Sequence, residues 1–534
     1  MSPSIFLSWL VSIPILAAIS SSAAPIAVPG PKGFPLNCGG TDEVTLGNEK
    51  YIPDDGFILT GTKGTVKTPG ILPILSTLRF FPDGQARKYC YAFQVTKGGK
   101  YLVRTIYYYG GFDGGKEPPV FDQIVQGTKW ATVNTTEDYA KGQTTYYEII
   151  VVSPTKTLNV CLARNKNTTS YPFISAMVVQ SLENSMYNSS DFTKYALTTV
   201  ARNYFGQEGG AISFPDDQYY RLWEPFHDKN QPTVESKSNV TSSDFWNFPP
   251  AKAFTRGFTT SRGKTIRFQW PPMSVPATKY YVAMYFQDNR TPSPYSWRVF
   301  SVTLNGLLFY KDLNVTEKGV TVYASEWPLS GVTELMLTPA DDMPVGPVIN
   351  AAEVLQLLPY GSRTQTRDVI AMEALGSSFD DPPADWVGDP CLPPENSWTG
   401  VTCTHELMAR VQKIELRNKG LAGSISPSIA NLTALTSISL GGNKLTGEIP
   451  DMGSLKDLQY LHLENNQLEG LIPQSLGQLK RIQEIYLQNN NLRGKIPGSL
   501  QNKPGLTLQY ENTCIDIFIE FLLSVRYLFV YTGF

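Results

Sequence analysis

Histidine is scarce: the 534-residue chain has three, His227, His405 and His462, far apart and without partner motifs. The sequence lacks a His-Glu-x-x-His pair, a Gly-x-Ser-x-Gly elbow and a phosphate-cradling glycine loop. It also lacks the Gly-rich loop, Val-Ala-x-Lys strand and His-Arg-Asp loop of a protein kinase. The cysteine spacings do not pair with histidines, so no Cys/His metal site is expected. A glycosidase would need two apposed carboxylates, and none of the 47 acidic residues singles itself out. Charge of one sign is missing too: the net charge is −2 with no long run, which argues against nucleic acid. These gaps point away from an enzyme, and no catalytic residue, metal or cofactor is expected.

Aromatics are plentiful at 12%, with 28 tyrosines, and 39 prolines and 43 glycines favour turns and short strands. The N-terminus runs apolar from Ile5 to Ile19 and ends in Ser21, Ser22, Ala23 and Ala24. It reads as a secretory signal over residues 1–24, although its first four residues carry no Lys or Arg. Sequons at Asn134, Asn167, Asn188, Asn239, Asn289, Asn314 and Asn431 agree with the secretory pathway and an extracellular or plasma-membrane location. That compartment permits disulfides. Cys391 and Cys403 are close and flank a tight segment, so they are expected to pair. Cys38, Cys90 and Cys161 form an odd set whose pairing stays open.

Two segments repeat at long range. "KYLVRTIY" at Lys100 resembles "KYYVAMYF" at Lys279, and "PFISAMVVQSL" at Pro172 resembles "PVINAAEVLQL" at Pro347, at offsets of 179 and 175 residues. Similar offsets in the same order predict two copies of one β-rich domain, over 31–183 and 197–358. Each is a series of short apolar or alternating runs between turn residues, the texture of an antiparallel sandwich or jelly roll. After Leu358 the pattern changes. Val369, Met372 and Leu375 predict a short helix ending at Gly376, within a cap over 366–410 that carries Trp386, Cys391, Trp398 and Cys403. "LTSISLGGNKLTGEIP" and its relatives then place Asn443, Asn466 and Asn490 at spacings of 23 and 24 residues, with Lys419 at that position in an earlier unit. This predicts about four stacked leucine-rich repeats over 411–500. The tail over 501–534 is apolar but contains Asp516, Glu520 and Arg526. Three charges at roughly 2.5–3.5 kcal/mol each outweigh residues giving about 0.3–0.6 each, so no membrane span is expected there.

"NCGG" at Asn37, "RKYCYAF" at Arg87, "KYLVRTIYYYGGFDG" at Lys100 and "PFISAMVV" at Pro172 resemble the tandem malectin-like (di-glucose-binding-like) module of plant extracellular receptors. "DWVGDPC…WTGVTC" followed by "LTGEIP"-type repeats resembles the plant leucine-rich-repeat ectodomain. The resemblance implies a mainly β chain: two malectin-like β-sandwich (jelly-roll) domains and a short α/β solenoid. It also implies a receptor-like recognition protein binding carbohydrate, peptide or a co-receptor. The alternatives are a truncated or alternatively spliced ectodomain of a receptor-like serine/threonine kinase, and an enzyme acting on wall glycans.

A glucose-type oligosaccharide or wall glycan would stack its CH faces on aromatic rings beside hydroxyl-binding carboxylates. The resemblance implies such a site on loops of the first copy, which makes Tyr107, Tyr109, Phe112, Asp113, Asp122 and Trp130 the candidates. The alternative is packing, since alternation puts Tyr108 on the opposite face from Tyr107 and Tyr109. The second copy has Phe286, Gln287, Asp288, Tyr295 and Trp297 in a comparable loop, with a sequon at Asn289 that would crowd a ligand. On the solenoid, the strand face displays Ser437, Ser439, Gln459, His462, Glu464, Glu484, Tyr486 and Gln488, a mixture suited to a peptide or a co-receptor ectodomain.

Overall fold

The computed structural model describes residues 33–511, apart from 83, 85, 116, 238–241, 289 and 291–297. The expected signal over 1–24, the sequons at Asn239 and Asn289, Tyr295, Trp297 and the tail charges lie outside the described residues.

The first copy is a sandwich of short strands. Its main strands are β1 (Gly33–Asn37), β2 (Tyr89–Gln94), β3 (Lys100–Tyr107), β4 (Phe121–Val125), β5 (Thr145–Val152), β6 (Thr157–Arg164) and β7 (Ala176–Leu182). One layer runs β1-β7-β3-β5 and the other β2-β6-β4. Along β3, Tyr101, Val103 and Tyr107 enter the core between the layers, whereas Leu102 belongs to a cluster on the other side. Alternation therefore holds, but both faces are covered.

The cover on that side is the second copy. Its main strands are β8 (Tyr195–Phe205), β9 (Val275–Phe286), β10 (Arg298–Leu304), β11 (Leu307–Val315), β12 (Val320–Gly331) and β13 (Ala351–Pro359). β5 pairs with β8 through Ile149↔Thr198 and Ile150↔Leu197, so one eleven-stranded sheet continues as β5-β8-β13-β9-β12. Charges cross this seam. Arg104 donates to Glu148 at 2.8 Å, Arg202 also pairs with Glu148, and the Arg202 Nε reaches Glu353 at 3.0 Å. Tyr187 and Tyr285 donate to Glu353 at 2.9 and 2.7 Å. Burial raises the Glu148 carboxyl, yet Arg202 and Arg104 together hold it below its ordinary value.

The chain then folds back. Helix α1 (Thr366–Gly376) buries Ala371, Met372 and Leu375, and also Asp368, which accepts from Arg410 and from the Val411 amide, both at 2.9 Å. Val369, expected inside, is only half-buried. Trp386 and Trp398 stack at 5.1 Å beside the Cys391–Cys403 disulfide, as the sequence predicts. This cap docks on the first copy rather than the adjoining second one. The Arg87 amide donates to Asp385 at 2.9 Å, and the Asn396 side chain donates to the Arg87 carbonyl at 3.0 Å. Lys88 Nζ donates to the carbonyls of Asp389 and Leu392 at 2.5 and 2.9 Å, and its burial lowers its pKa to about 8. Val387 packs on a second disulfide, Cys90–Cys161, which resolves the odd set; Cys38 is a free, buried thiol.

The solenoid sheet stacks β14 (Val411–Glu415), β15 (Ser437–Ser439), β16 (Tyr460–His462), β17 (Glu484–Tyr486) and β18 (Thr507–Gln509) in parallel. Its strands thus extend past the expected boundary at residue 500, because Leu508 pairs with Ile485 as a fifth rung. The asparagines form a buried ladder. Asn466 accepts from the Leu445 amide at 3.0 Å and donates to the carbonyls of Leu440 and Leu463 at 3.0 and 3.1 Å. Asn443 and Asn490 make the same kinds of bond in their own units. Asn466→Ala is expected to cost about 2–4 kcal/mol, because it leaves several buried backbone groups without partners. Urea unfolding checks this, and a loss under about 1 kcal/mol would mean the ladder relaxes without cost.

Candidate functional site

In each solenoid unit two side chains flank the central apolar residue of the strand and face outward. Parallel pairing aligns them into columns. Lys413, Ser437, Tyr460, Glu484 and Thr507 form one, and Glu415, Ser439, His462, Tyr486 and Gln509 the next. The face is a groove of about 630 Å³ lined by Lys413, Glu415, Ser439, Tyr460, His462 and Glu484 among others.

Its centre is an organised cluster. His462 Nε2 lies 3.0 Å from a Glu484 carboxylate oxygen, and the imidazole stacks on Tyr486 with centroids 4.4 Å apart and planes at 6°. Tyr460 donates to the Gln483 side chain at 3.2 Å. Two residues past His462, Glu464 is 1% exposed and pairs with Arg417 two units away. Gly441 makes that reach possible: a Cβ there would lie 2.3 Å from a Glu464 carboxylate oxygen. The surface therefore offers donors, acceptors, both charges and two aromatic rings on a rigid frame, features that suit a peptide better than a small apolar ligand.

Of the solenoid residues singled out in the sequence, Gln459, His462, Glu484, Ser437 and Ser439 line this groove, and Tyr486 backs His462. Glu464 is buried under it, and Gln488 is paired to Gln509 at 2.9 Å beside the last rung. Sequence reasoning missed Lys413, Glu415 and Tyr460. They occupy the same strand positions in their units, and the register alone would have found them.

The tyrosine stretch of the first copy is different, and its expected sugar platform needs correcting. Tyr107 is fully buried, donates to Gln123 at 3.0 Å and meets Phe121 and Phe173 edge-to-face. Tyr109 is buried too and donates to Asp113 at 2.6 Å. Asp113 also accepts from Ser170 and from the Gly115 amide. Burial raises the Asp113 carboxyl, but the bonds from Ser170, Tyr109 and Gly115 hold it below its ordinary value. Phe112 packs on Phe80 and Phe173, and Trp130 is buried against Tyr147. Asp122 is held by Lys129, Thr132 and Asn165 at 2.7, 2.7 and 2.9 Å. Tyr107, Tyr109 and Trp130 belong to the core between the two layers, and Phe112 packs half-buried against it. In the second copy Phe286 and Gln287 are buried, and Asp288 is tied to Arg290 and Arg298.

Among the described residues no group of three His, Cys, Asp or Glu is placed to hold a metal, and no helix is long and apolar enough to cross a membrane. The five described sequon asparagines, Asn134, Asn167, Asn188, Asn314 and Asn431, are all exposed.

The family model of the malectin-like domain matches residues 36–357, and that of the leucine rich repeat matches 433–492. The chain is 31% identical over 401 residues to the leucine-rich repeat receptor-like serine/threonine-protein kinase At2g14510 of Arabidopsis thaliana, covering 73% of this chain and 45% of that one. It is 32% identical over 428 residues to the receptor-like protein kinase At3g21340 of the same plant, covering 76% and 46%. It thus spans less than half the length of these relatives. The solved ANX2 ectodomain of Arabidopsis thaliana superposes with a TM-score of 0.51 at 14% identity, covering 61% of this chain and 97% of that one. A chain from the complex of plant peptide RALF23 with FER and LLG2 gives 0.50 at 18%, covering 61% and 96%. At these identities the two structures show a shared fold.

Proposed function

The chain belongs to the malectin-like domain family, and from that premise we propose that it is a non-catalytic, receptor-like recognition module. Its ligand would be an extracellular peptide or a co-receptor ectodomain, read along the strand face of the solenoid. The carrying observation is the His462–Glu484–Tyr486 cluster in the groove, held in place yet partly open to solvent. An extended peptide can lie across the columns and exchange hydrogen bonds with successive rungs. Two disulfides and exposed sequons suit an extracellular setting. The solved complex of plant peptide RALF23 with FER and LLG2, which contains a chain of this fold, supports peptide and co-receptor ligands.

Binding of secreted plant peptides to the purified chain, followed by biolayer interferometry, tests this. Peptides bound by the wild type are expected to weaken about tenfold or more with Glu484→Lys, the size of a central interface contact, while the melting temperature stays put. Equal binding to both proteins would move recognition away from the groove.

A further inference from the structure

The two copies present the same strand at the same edge, and only one of those edges is used. Val103 pairs with Ile149 in the first copy and Val282 with Ala324 in the second, while Val103 and Val282 align in the sequence repeat. β12 is therefore the counterpart of β5. The outer edge of β5 is taken by β8, and Glu148, Ile149 and Ile150 are buried there. The outer edge of β12 pairs with no strand among the described residues.

The side chains differ in the same sense. Glu148 pairs opposite Arg104, and its counterpart Tyr323 pairs opposite Ala283. Where Glu148 reaches across the seam to Arg202, Tyr323 is 42% exposed and stacks on Trp246 at 5.3 Å with planes at 2°. The segment Val320–Ser325, "VTVYAS", has no charge and no proline. Such β-prone, uncharged windows on a free edge invite strand pairing, and monomeric proteins usually block them with charge. The strip continues onto β11, where Leu307, Leu308 and Tyr310 are exposed and Phe309 meets Trp327 at 4.9 Å.

We propose that this edge is a self-association surface, with β12 of one copy pairing antiparallel to β12 of a second copy about a twofold axis. A twofold contact must be self-complementary, and an uncharged segment opposes no like charges to itself. The nearest charge, Glu326, is occupied by Lys279 at 2.7 Å. Pro328 ends the pairing beyond Trp327 because it has no N–H to donate. The contact would extend the strand geometry that already joins the two copies within one chain, adding apolar stacking where the internal seam uses ions.

Sedimentation velocity of the secreted, glycosylated chain over a dilution series tests the proposal. A concentration-dependent dimer is expected for the wild type. Tyr323→Lys should sediment as a monomer throughout, with an unchanged melting temperature. Ser325→Glu, on the half-buried end of the segment, should also abolish the dimer and serves if the first variant misfolds. A wild type that stays monomeric to its solubility limit, or a dimer that persists in a folded variant, would overturn it.

Discussion

Arg202→Leu is expected to destabilise the protein by about 3–5 kcal/mol, the usual cost of removing one partner from a buried ion pair. Among the described residues Arg202 is the only cation paired with both Glu148 and Glu353, and all three side chains are essentially inaccessible to water. Without it Glu148 keeps Arg104, whereas Glu353 keeps only neutral donors such as Tyr187 and Tyr285. The leucine would fill part of the volume but leave the Glu353 carboxylate without a cation in a buried seam. Guanidinium unfolding at pH 7.5 measures the loss. A loss below about 1 kcal/mol at pH 7.5 would mean the seam tolerates the charge or admits water.

Replacing Cys90 and Cys161 together by alanine is expected to cost about 4 kcal/mol by chain entropy, given a closed loop of 71 residues. The Cys391–Cys403 bond, with a separation of 12, should contribute about 3 kcal/mol by the same reasoning. The longer loop also lies under the cap, since a Cβ on Gly388 would sit 3.4 Å from the Cys90 sulfur. Losing it should loosen the docking of Val387 and the Arg87 bonds as well as the first sandwich. Differential scanning calorimetry of the double variant, with amide exchange around Trp386 and Trp398, reads the two consequences separately. Unchanged exchange in the cap would confine the disulfide's role to its own sandwich.

The solenoid was the most legible part of the sequence because its constraint is local and periodic. Each unit repeats the same inward leucines, and each buried asparagine answers to backbone groups in its own turn and the one before. The paired β-domains were legible through their internal repeat, and the Cys391–Cys403 pair through its short spacing. Cys90–Cys161 was not, since three cysteines without a spacing rule allow several pairings and strand register decides among them: Cys161 pairs directly opposite Cys90. The tyrosine stretch misled for a related reason. Alternation reports which residues share a face, but not whether something covers that face. Leu102 is buried because Met186 and Tyr187, from beyond the first domain, join the cluster on its face, and Tyr107 because Phe173, far off in sequence, closes over it. In the solenoid the repeat placed His462 and Glu484 on the open face, yet Glu464, from the same reading, is buried.

The cap's choice of partner sets an order of events during synthesis. Asp385, Asn396 and Ser397 meet Arg87 across sequence separations of 298, 309 and 310 residues. At about 5–20 residues per second, roughly 15–60 seconds pass between the emergence of one side and the other. During that interval the first sandwich must persist with Lys88 and the Cys90–Cys161 face open to water, while the second copy forms along β5. Cys90 and Cys161 can thus be oxidised while still accessible, and the arriving cap then seals a bond already made. A nascent chain halted before Asp385 would carry that face uncovered, a mark by which folding machinery could tell an unfinished molecule from a finished one.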